Sequence, residues 1–393
     1  MDEINEYGLP LEQPCMVAIP KRRFTIGLPA SASPSERRFP LTPEGVNMLV
    51  ERGFHIKIEA GAAESIHYPD NAYTRNGAEI TDRADALSAD IVISLAAPPA
   101  HDINRMRRGA MLLTLLNIKP LNRDNITAML RRSIVAVALD KIADDRGNFP
   151  FFDILAEING RAAIATASSL LADPARGKGI LLGGIPGIIP CEVTILGSSI
   201  SALAAARSAL GLGASVKIFD NDIYSLRAAL RDLGPAVVGS AMHHRPLMSA
   251  IHTADVIVVA DNTRFVLDMA DAAGLKRGII IFDLTSAPGR AFPSIPTLDL
   301  SEALPSENHS ALLRACYINV GSAVPRTAAM ALSNTLLTLL DDIVTCEGVT
   351  NALKLTPGLR CGVLTFLGKI TNNTLAEIAG GRASDINLYI QFS

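Results

Sequence analysis

Short apolar runs alternate with amphipathic stretches along almost the whole chain. Phe24–Leu28, His55–Glu59, Ile91–Leu95, Met111–Leu116 and Ile134–Ala138 each have strand length and strand composition. Apolar runs of this kind, bounded by turn residues, mark strands covered on both faces. Helical patterns fill the gaps between them. The clearest helix start is Thr42-Pro43, a capping hydroxyl followed by a first-turn proline, with Val46, Leu49 and Val50 on one face and Gly53 just past the end. A second series of runs at 193–196, 216–219, 255–260 and 279–283 repeats the alternation. Between the two series lies a long Ala-, Ile- and Leu-rich helix, Phe149–Ala172, stopped by Pro174, Gly177 and Gly179; another, about 328–345, follows the second series. The pattern predicts an α/β protein with two doubly wound parallel-sheet domains around a cleft.

Within the second series one stretch has more specific chemistry. Val193–Leu196 reads as a buried strand, Gly197 opens a tight turn into a small-residue helix at Ser201–Leu210, and a further strand, Val216–Phe219, ends in Asp220. This is the layout of a dinucleotide-binding βαβ unit, in which pyrophosphate sits on a helix N-terminus and an acid about twenty residues on meets a ribose hydroxyl. The G-x-G-x-x-G/A fingerprint reads here as Gly197-Ser198-Ser199-Ile200-Ser201-Ala202. Ala202 is an accepted third position, whereas Ser199 puts a side chain where the backbone approaches phosphate most closely. Residues 151–324 are accordingly expected to form a Rossmann-like NAD(H)-binding domain. Residues 23–150 with 325–393 are expected to form a flavodoxin- or Rossmann-like substrate domain. Residues 1–22, with Pro10, Pro14 and Pro20, form an N-terminal extension without regular structure.

Composition narrows the function classes. A chain of 393 residues is long enough for two full cores, and 49% hydrophobic with 19% charged residues is globular throughout. A net charge of −3 leaves no basic face for nucleic acid. No uninterrupted apolar run reaches membrane-spanning length, and the polar, acidic start is unlike a signal peptide. Cys15, Cys191, Cys316, Cys346 and Cys361 are scattered without a CxxC pair, so neither zinc nor a disulfide framework is indicated, and a cytoplasmic location fits them. Small-molecule chemistry is what remains.

Three stretches carry a stronger signal: Glu36-Arg37-Arg38-Phe39-Pro40-Leu41-Thr42-Pro43; Gly177-Lys178-Gly179 through Gly183-Gly184-Ile185-Pro186-Gly187; and Ala323-Val324-Pro325-Arg326-Thr327 with Ala331-Leu332-Ser333-Asn334. With them the sequence resembles the alanine dehydrogenase and transhydrogenase α-subunit family from Arg23 to the C-terminus, nearest the alanine dehydrogenase branch. The resemblance implies NAD(H) on the second domain, alanine or pyruvate in the cleft, reversible oxidative deamination of L-alanine, and a homo-oligomer, hexamer or dimer.

The family's chemical groups map unevenly onto this chain. Arg38 matches the carboxylate-binding arginine. The resemblance places Ala96 at the catalytic lysine, Asn117 at the catalytic histidine and Ala287 at the catalytic aspartate. An amide at 117 hydrogen-bonds but cannot carry a proton near neutral pH. Asn319 matches an asparagine near the nicotinamide. Each retained position also has a plainer reading: Arg38 as a surface arginine in a loop, Asp220 as a turn aspartate, Ser198 and Ser199 as helix caps, Asn319 as a turn residue. None of the seven histidines falls at a strand end bordering the cleft; His243-His244 reads as surface, and His67 with Tyr68 is the weaker option for a rearranged site.

Three functions stay open on the sequence. The first is a pseudoenzyme that keeps the fold and binds NAD(H) or a small carboxylate. The second is a working alanine dehydrogenase with a rearranged site, and the third a transhydrogenase-like NAD(H) carrier.

Overall fold

The computed structural model describes residues 24–116, 121–175, 177–260, 265–300, 315–346 and 349–390. The expected N-terminal extension 1–22 and the position of Asn117 lie outside them. Fifteen strands are described: β1 Thr25–Leu28, β2 His55–Glu59, β3 Glu79–Thr81, β4 Ile91–Ile93, β5 Met111–Thr114, β6 Val135–Ala138, β7 Glu192–Leu196, β8 Ser215–Phe219, β9 Val237–Ser240, β10 Val256–Val259, β11 Ile280–Asp283, β12 Thr297–Asp299, β13 Cys316–Ile318, β14 Val363–Phe366 and β15 Lys369–Ile370. They form two sheets. The first has the order β15-β14-β6-β5-β4-β1-β2-β3 and the second β12-β13-β11-β10-β7-β8-β9.

The second sheet is parallel throughout, and so is the first from β6 to β3. Every residue of β5, β6, β10 and β11 is buried, as strands covered by helices on both faces require. Each Val, Ile or Leu fully buried there contributes roughly 1.5–3 kcal/mol. Sequence periodicity does not anticipate the edge of the first sheet. There β14 runs antiparallel to β6 and β15 antiparallel to β14, because the chain comes back late, through the helix Pro357–Cys361. The Ala138 amide then donates to the Gly362 carbonyl at 2.7 Å.

Two long helices connect the sheets. Pro150–Ala172 packs on the second-sheet helix Ile200–Gly211 at a glycine: a Cβ on Gly160 would lie 2.2 Å from the Ser201 carbonyl oxygen and 2.9 Å from the Ala205 nitrogen. Only hydrogen at that position lets the two backbones approach so closely. Pro325–Thr345 returns the chain to the first core, where Leu332, Leu336, Leu340 and Ile343 join Leu41, Val46 and Leu49. Its Ser333 hydroxyl meets the Thr42 amide at 3.4 Å, and a Cβ on Gly45 would collide with it at 2.1 Å. Thr42 itself caps the helix Pro43–Glu51 by accepting from the Gly45 amide, as its sequence predicts.

Strand order locates the crevices. In open α/β sheets ligands bind beyond the carboxyl ends of the strands where the order reverses. That point lies between β1 and β4 in the first sheet and between β7 and β10 in the second. The loop after β1 carries Arg38; the turn after β7 carries Gly197.

Candidate active site

A cavity of about 170 Å³ lies between the two sheets. The helix Pro150–Ala172 supplies one wall through Phe152, Leu155, Ala156 and Asn159, the i, i+3, i+4, i+7 spacing of a single helical face. Arg38 enters from the loop after β1, Asp140 from the turn after β6, Asp283 from the end of β11 and Asp299 from the end of β12. Ser201 of the nucleotide-type helix also reaches it. Neither lysine nor histidine is among its described lining residues.

Arg38 is 8% exposed, so although it lies in a loop it is not a surface arginine. Its Nε donates to Glu36 Oε1 at 2.8 Å and its Nη2 to Glu36 Oε2 at 2.6 Å, and the Arg38 amide adds a third bond to Oε1 at 2.9 Å. Burial alone would lower the guanidinium pKa. The Glu36 charge and hydrogen bond, with Asp299 further off, outweigh it, and the pKa sits above its ordinary value. Glu36 therefore holds one edge of the fork, while Nη1 stands beside Gly321, 3.6 Å from where a Cβ there would be. A buried, doubly anchored guanidinium with an open end suits an anionic oxygen.

Asn319 has a left-handed backbone, φ 55°, and ties the two halves of the cleft together. Its Nδ2 donates to the Ser35 carbonyl at 2.7 Å and lies 3.2 and 3.3 Å from the Asp299 oxygens, while its Oδ1 accepts from Ser322 Oγ at 2.9 Å. Asp283 organises the loop that follows it. Oδ1 accepts from the Thr285 amide and hydroxyl, at 3.0 and 2.6 Å, and Oδ2 from the Gly289 amide at 2.9 Å. Ala287 sits exposed in this loop and is outside the cavity lining, although Ser286 and Pro288 belong to it. Ala96 is 2% exposed, and its carbonyl accepts from Ser94 Oγ at 2.7 Å. Ala96 lines neither this cavity nor the neighbouring one under the loop after β1.

At the nucleotide-type turn, Gly197 has φ 108°, a conformation that favours glycine. Ser199 is the N-cap of Ile200–Gly211 but makes no side-chain bond to the first turn; its hydroxyl lies 2.9 Å from that of Ser201. The capping role expected of Ser199 is thus absent, and the first-turn amides are left for an anion. Ala202 is fully buried against the helix–helix contact. Ser198 donates to Asp220 Oδ2 at 2.5 Å, and the Asp222 amide donates to Oδ1 at 2.9 Å. A carboxylate has about four acceptor sites, so Asp220 keeps capacity for a ribose hydroxyl. These residues fit a dinucleotide: glycine turn, uncapped helix end, acid at the end of the next strand.

The group that sequence reasoning missed is Asp140. It is 2% exposed, its Oδ1 accepts from the Leu116 amide at 3.1 Å, and Oδ2 has no partner. Its signal is an acid two residues after the buried run Val135–Ala138, at a strand's carboxyl end. His67 is exposed, and Tyr68 carries the Arg326 guanidinium 4.5 Å from its ring centroid; neither lines the cavity. No helix among the described residues is long and apolar enough to cross a membrane.

Comparison with known proteins agrees with this architecture. The alanine dehydrogenase of Mycolicibacterium smegmatis is 28% identical over 360 residues, spanning 90% of this chain and 96% of that protein. Alanine dehydrogenase 2 of Staphylococcus aureus is 30% identical over 363 residues, with 90% and 95% covered. Among solved structures, an L-alanine dehydrogenase superposes with a TM-score of 0.78 at 23% identity, covering 90% of this chain and 98% of that one, which shows the shared fold. Residues 27–159 match the alanine dehydrogenase/PNT N-terminal domain and residues 163–373 the C-terminal domain, so the chain belongs to the alanine dehydrogenase/PNT family.

Proposed function

We propose that this protein binds NAD(H) on its second sheet and a small 2-oxo acid in the cleft, and that it interconverts alanine and pyruvate far more slowly than an enzyme with the full acid/base set. The observation that carries this reading is the cavity lining: Arg38 is there, and lysine and histidine are missing from its described residues. The first-turn amides of Ile200–Gly211 and Asp220 would hold the dinucleotide, with Asn319 near the nicotinamide. Bound NAD⁺ supplies the acceptor for the electron pair that leaves the substrate Cα. Arg38 would hold the carboxylate through its open end, aimed by Glu36. Formation and hydrolysis of the imine then require protons to be moved at the nitrogen and at the attacking water. At the positions where the family resemblance puts these groups stand Ala96, Asn117 and Ala287. Removing one such group costs about 10²–10⁴ in rate, and groups that act as a unit do not fail additively.

The test is an NADH titration followed by turnover with pyruvate and ammonium, run beside the Mycolicibacterium smegmatis enzyme. The expected result is saturable NADH binding with turnover lower by at least about 10²-fold. Turnover within tenfold would overturn the impairment and establish a rearranged working site. Failure to bind NADH would overturn the cofactor assignment.

A further inference from the structure

Lysine and histidine are absent from the described lining of the cleft, yet it contains an acid with one unpartnered oxygen. Asp140 is buried, one oxygen is anchored by the Leu116 amide, the other has no partner, and the residue is among those that line the cavity. A buried carboxyl oxygen without a donor is costly when ionised, whereas a neutral acid can satisfy itself by donating to an acceptor. Leu115, Phe152, Leu155 and Ala156 in the lining are apolar and offer no acceptor through their side chains, and no bond joins Oδ2 to Asn159 on the same helical wall.

We propose that Asp140, as the neutral carboxylic acid, donates a hydrogen bond from Oδ2 to a carbonyl or carboxylate oxygen of a 2-oxo acid in the cavity. The ligand is thereby held between this proton and the open end of Arg38. The inference rests on the reading of the cleft as a 2-oxo acid site but not on NAD(H) being bound. Lys141 follows it in the same turn, Asp153 and Glu157 lie on the helix Pro150–Ala172, and Arg38, Asp283 and Asp299 share the cavity. Burial raises the Asp140 pKa above the ordinary value; the Leu116 amide and the Lys141 charge oppose this without cancelling it. An anionic ligand beside it strengthens the preference for the neutral form.

Binding then becomes linked to a proton. At pH values above the Asp140 pKa of the free protein, each 2-oxo acid bound takes up one proton, and affinity falls by up to about tenfold per pH unit. Asparagine at 140 is the informative variant, since its amide presents a permanent donor in place of the acid proton and keeps an acceptor for Leu116.

The full-length protein would be titrated calorimetrically with pyruvate from pH 5.5 to 8.5, with and without NADH. Buffers of different ionisation enthalpy would be used to count protons. Wild type is expected to lose affinity with rising pH and to take up close to one proton at the upper end. Asp140→Asn is expected to bind with an affinity constant within twofold across the range, and Asp140→Leu to bind at least about fivefold more weakly at pH 6 than wild type, for one lost hydrogen bond. A flat wild-type profile, an Asp140→Asn profile as steep as wild type, or no pyruvate binding at any pH would overturn the proposal. Loss of the NADH response with pyruvate binding intact would leave it standing and overturn the cofactor assignment alone.

Discussion

Glu36→Gln is the most direct probe of how the cleft holds Arg38. Arg38 and Glu36 have 6% and 0% of their side chains exposed, and three hydrogen bonds of 2.6–2.9 Å join them. Glutamine keeps one acceptor but turns an amide nitrogen, a donor, toward a guanidinium nitrogen, leaving the buried charge without its counter-ion. Breaking one side of a buried pair costs about 3–5 kcal/mol. Asp299 still acts on the guanidinium, so the lower end applies. For a cooperative unit of 150–250 residues each kcal/mol is worth roughly 2–4 °C, which sets the expected fall in melting temperature at about 6–12 °C. Differential scanning calorimetry of Glu36→Gln beside Glu51→Gln measures it. Glu51 makes an exposed bond to Asn47 of 2.8 Å, and its loss should stay within about 0.5 kcal/mol. Pyruvate affinity should fall as well, because the guanidinium is no longer aimed. If both variants melt within 2 °C of wild type, the pair does not organise the site and the argument fails.

Other expectations follow from the same contacts. Gly160→Ala places a methyl 2.2 Å from the Ser201 carbonyl oxygen; it should destabilise by about 1–3 kcal/mol and weaken NADH binding by displacing the helix end. Gly211→Ala, with nothing within 4 Å, should be neutral or stabilising by up to about 1 kcal/mol, and equal urea midpoints for the two would refute the close-approach argument. Asp140→Asn should also reveal the linkage in stability. Because the folded pKa of Asp140 is raised, the native state holds more protons than the unfolded chain from about pH 4 up to that value, and wild-type stability falls as pH rises through that window. The variant should therefore gain on wild type as pH rises from 4 to 8, and a pH-independent gap between their urea midpoints would refute it. Restoring the family residues should be uneven. Ala287→Asp, at an exposed loop position, should change stability by less than about 0.5 kcal/mol. Ala96→Lys, at a site 2% exposed, should cost several kcal/mol as an unpaired buried ammonium, and an unchanged melting curve would show that the Ser94–Ala97 segment has room after all.

Much of the fold is legible from the sequence because helices and buried parallel strands are written in local periods. The strands at 193–196 and 216–219, the Thr42 cap, the stop of the long helix at Ala172 and the glycine turn at 197 all depend on residues a few positions apart. The short strands β3, β9, β12 and β13, and the antiparallel pair β14 and β15, are not legible. Strands β3, β9, β12 and β13 are only partly buried and so lack the continuous buried apolar run of the central strands, and the place of β14 depends on Gly362 meeting Ala138 across more than two hundred residues.

The site itself divides along the same line. Arg38 as an anion-binding candidate, Asp220 at a strand end, and Ala96, Asn117 and Ala287 at the positions the family resemblance points to are read from the sequence alone. Only the tertiary structure decides that Glu36 claims one edge of Arg38, that Ser198 bonds Asp220, that Asn319 reaches Ser35 across the cleft, and that Asp140 is buried with one oxygen unsatisfied. The physical reason is that apolar burial repeats along the chain with the period of each element, whereas the partner of a buried polar group is whatever the packing of distant segments brings within 3 Å, and no local pattern encodes it.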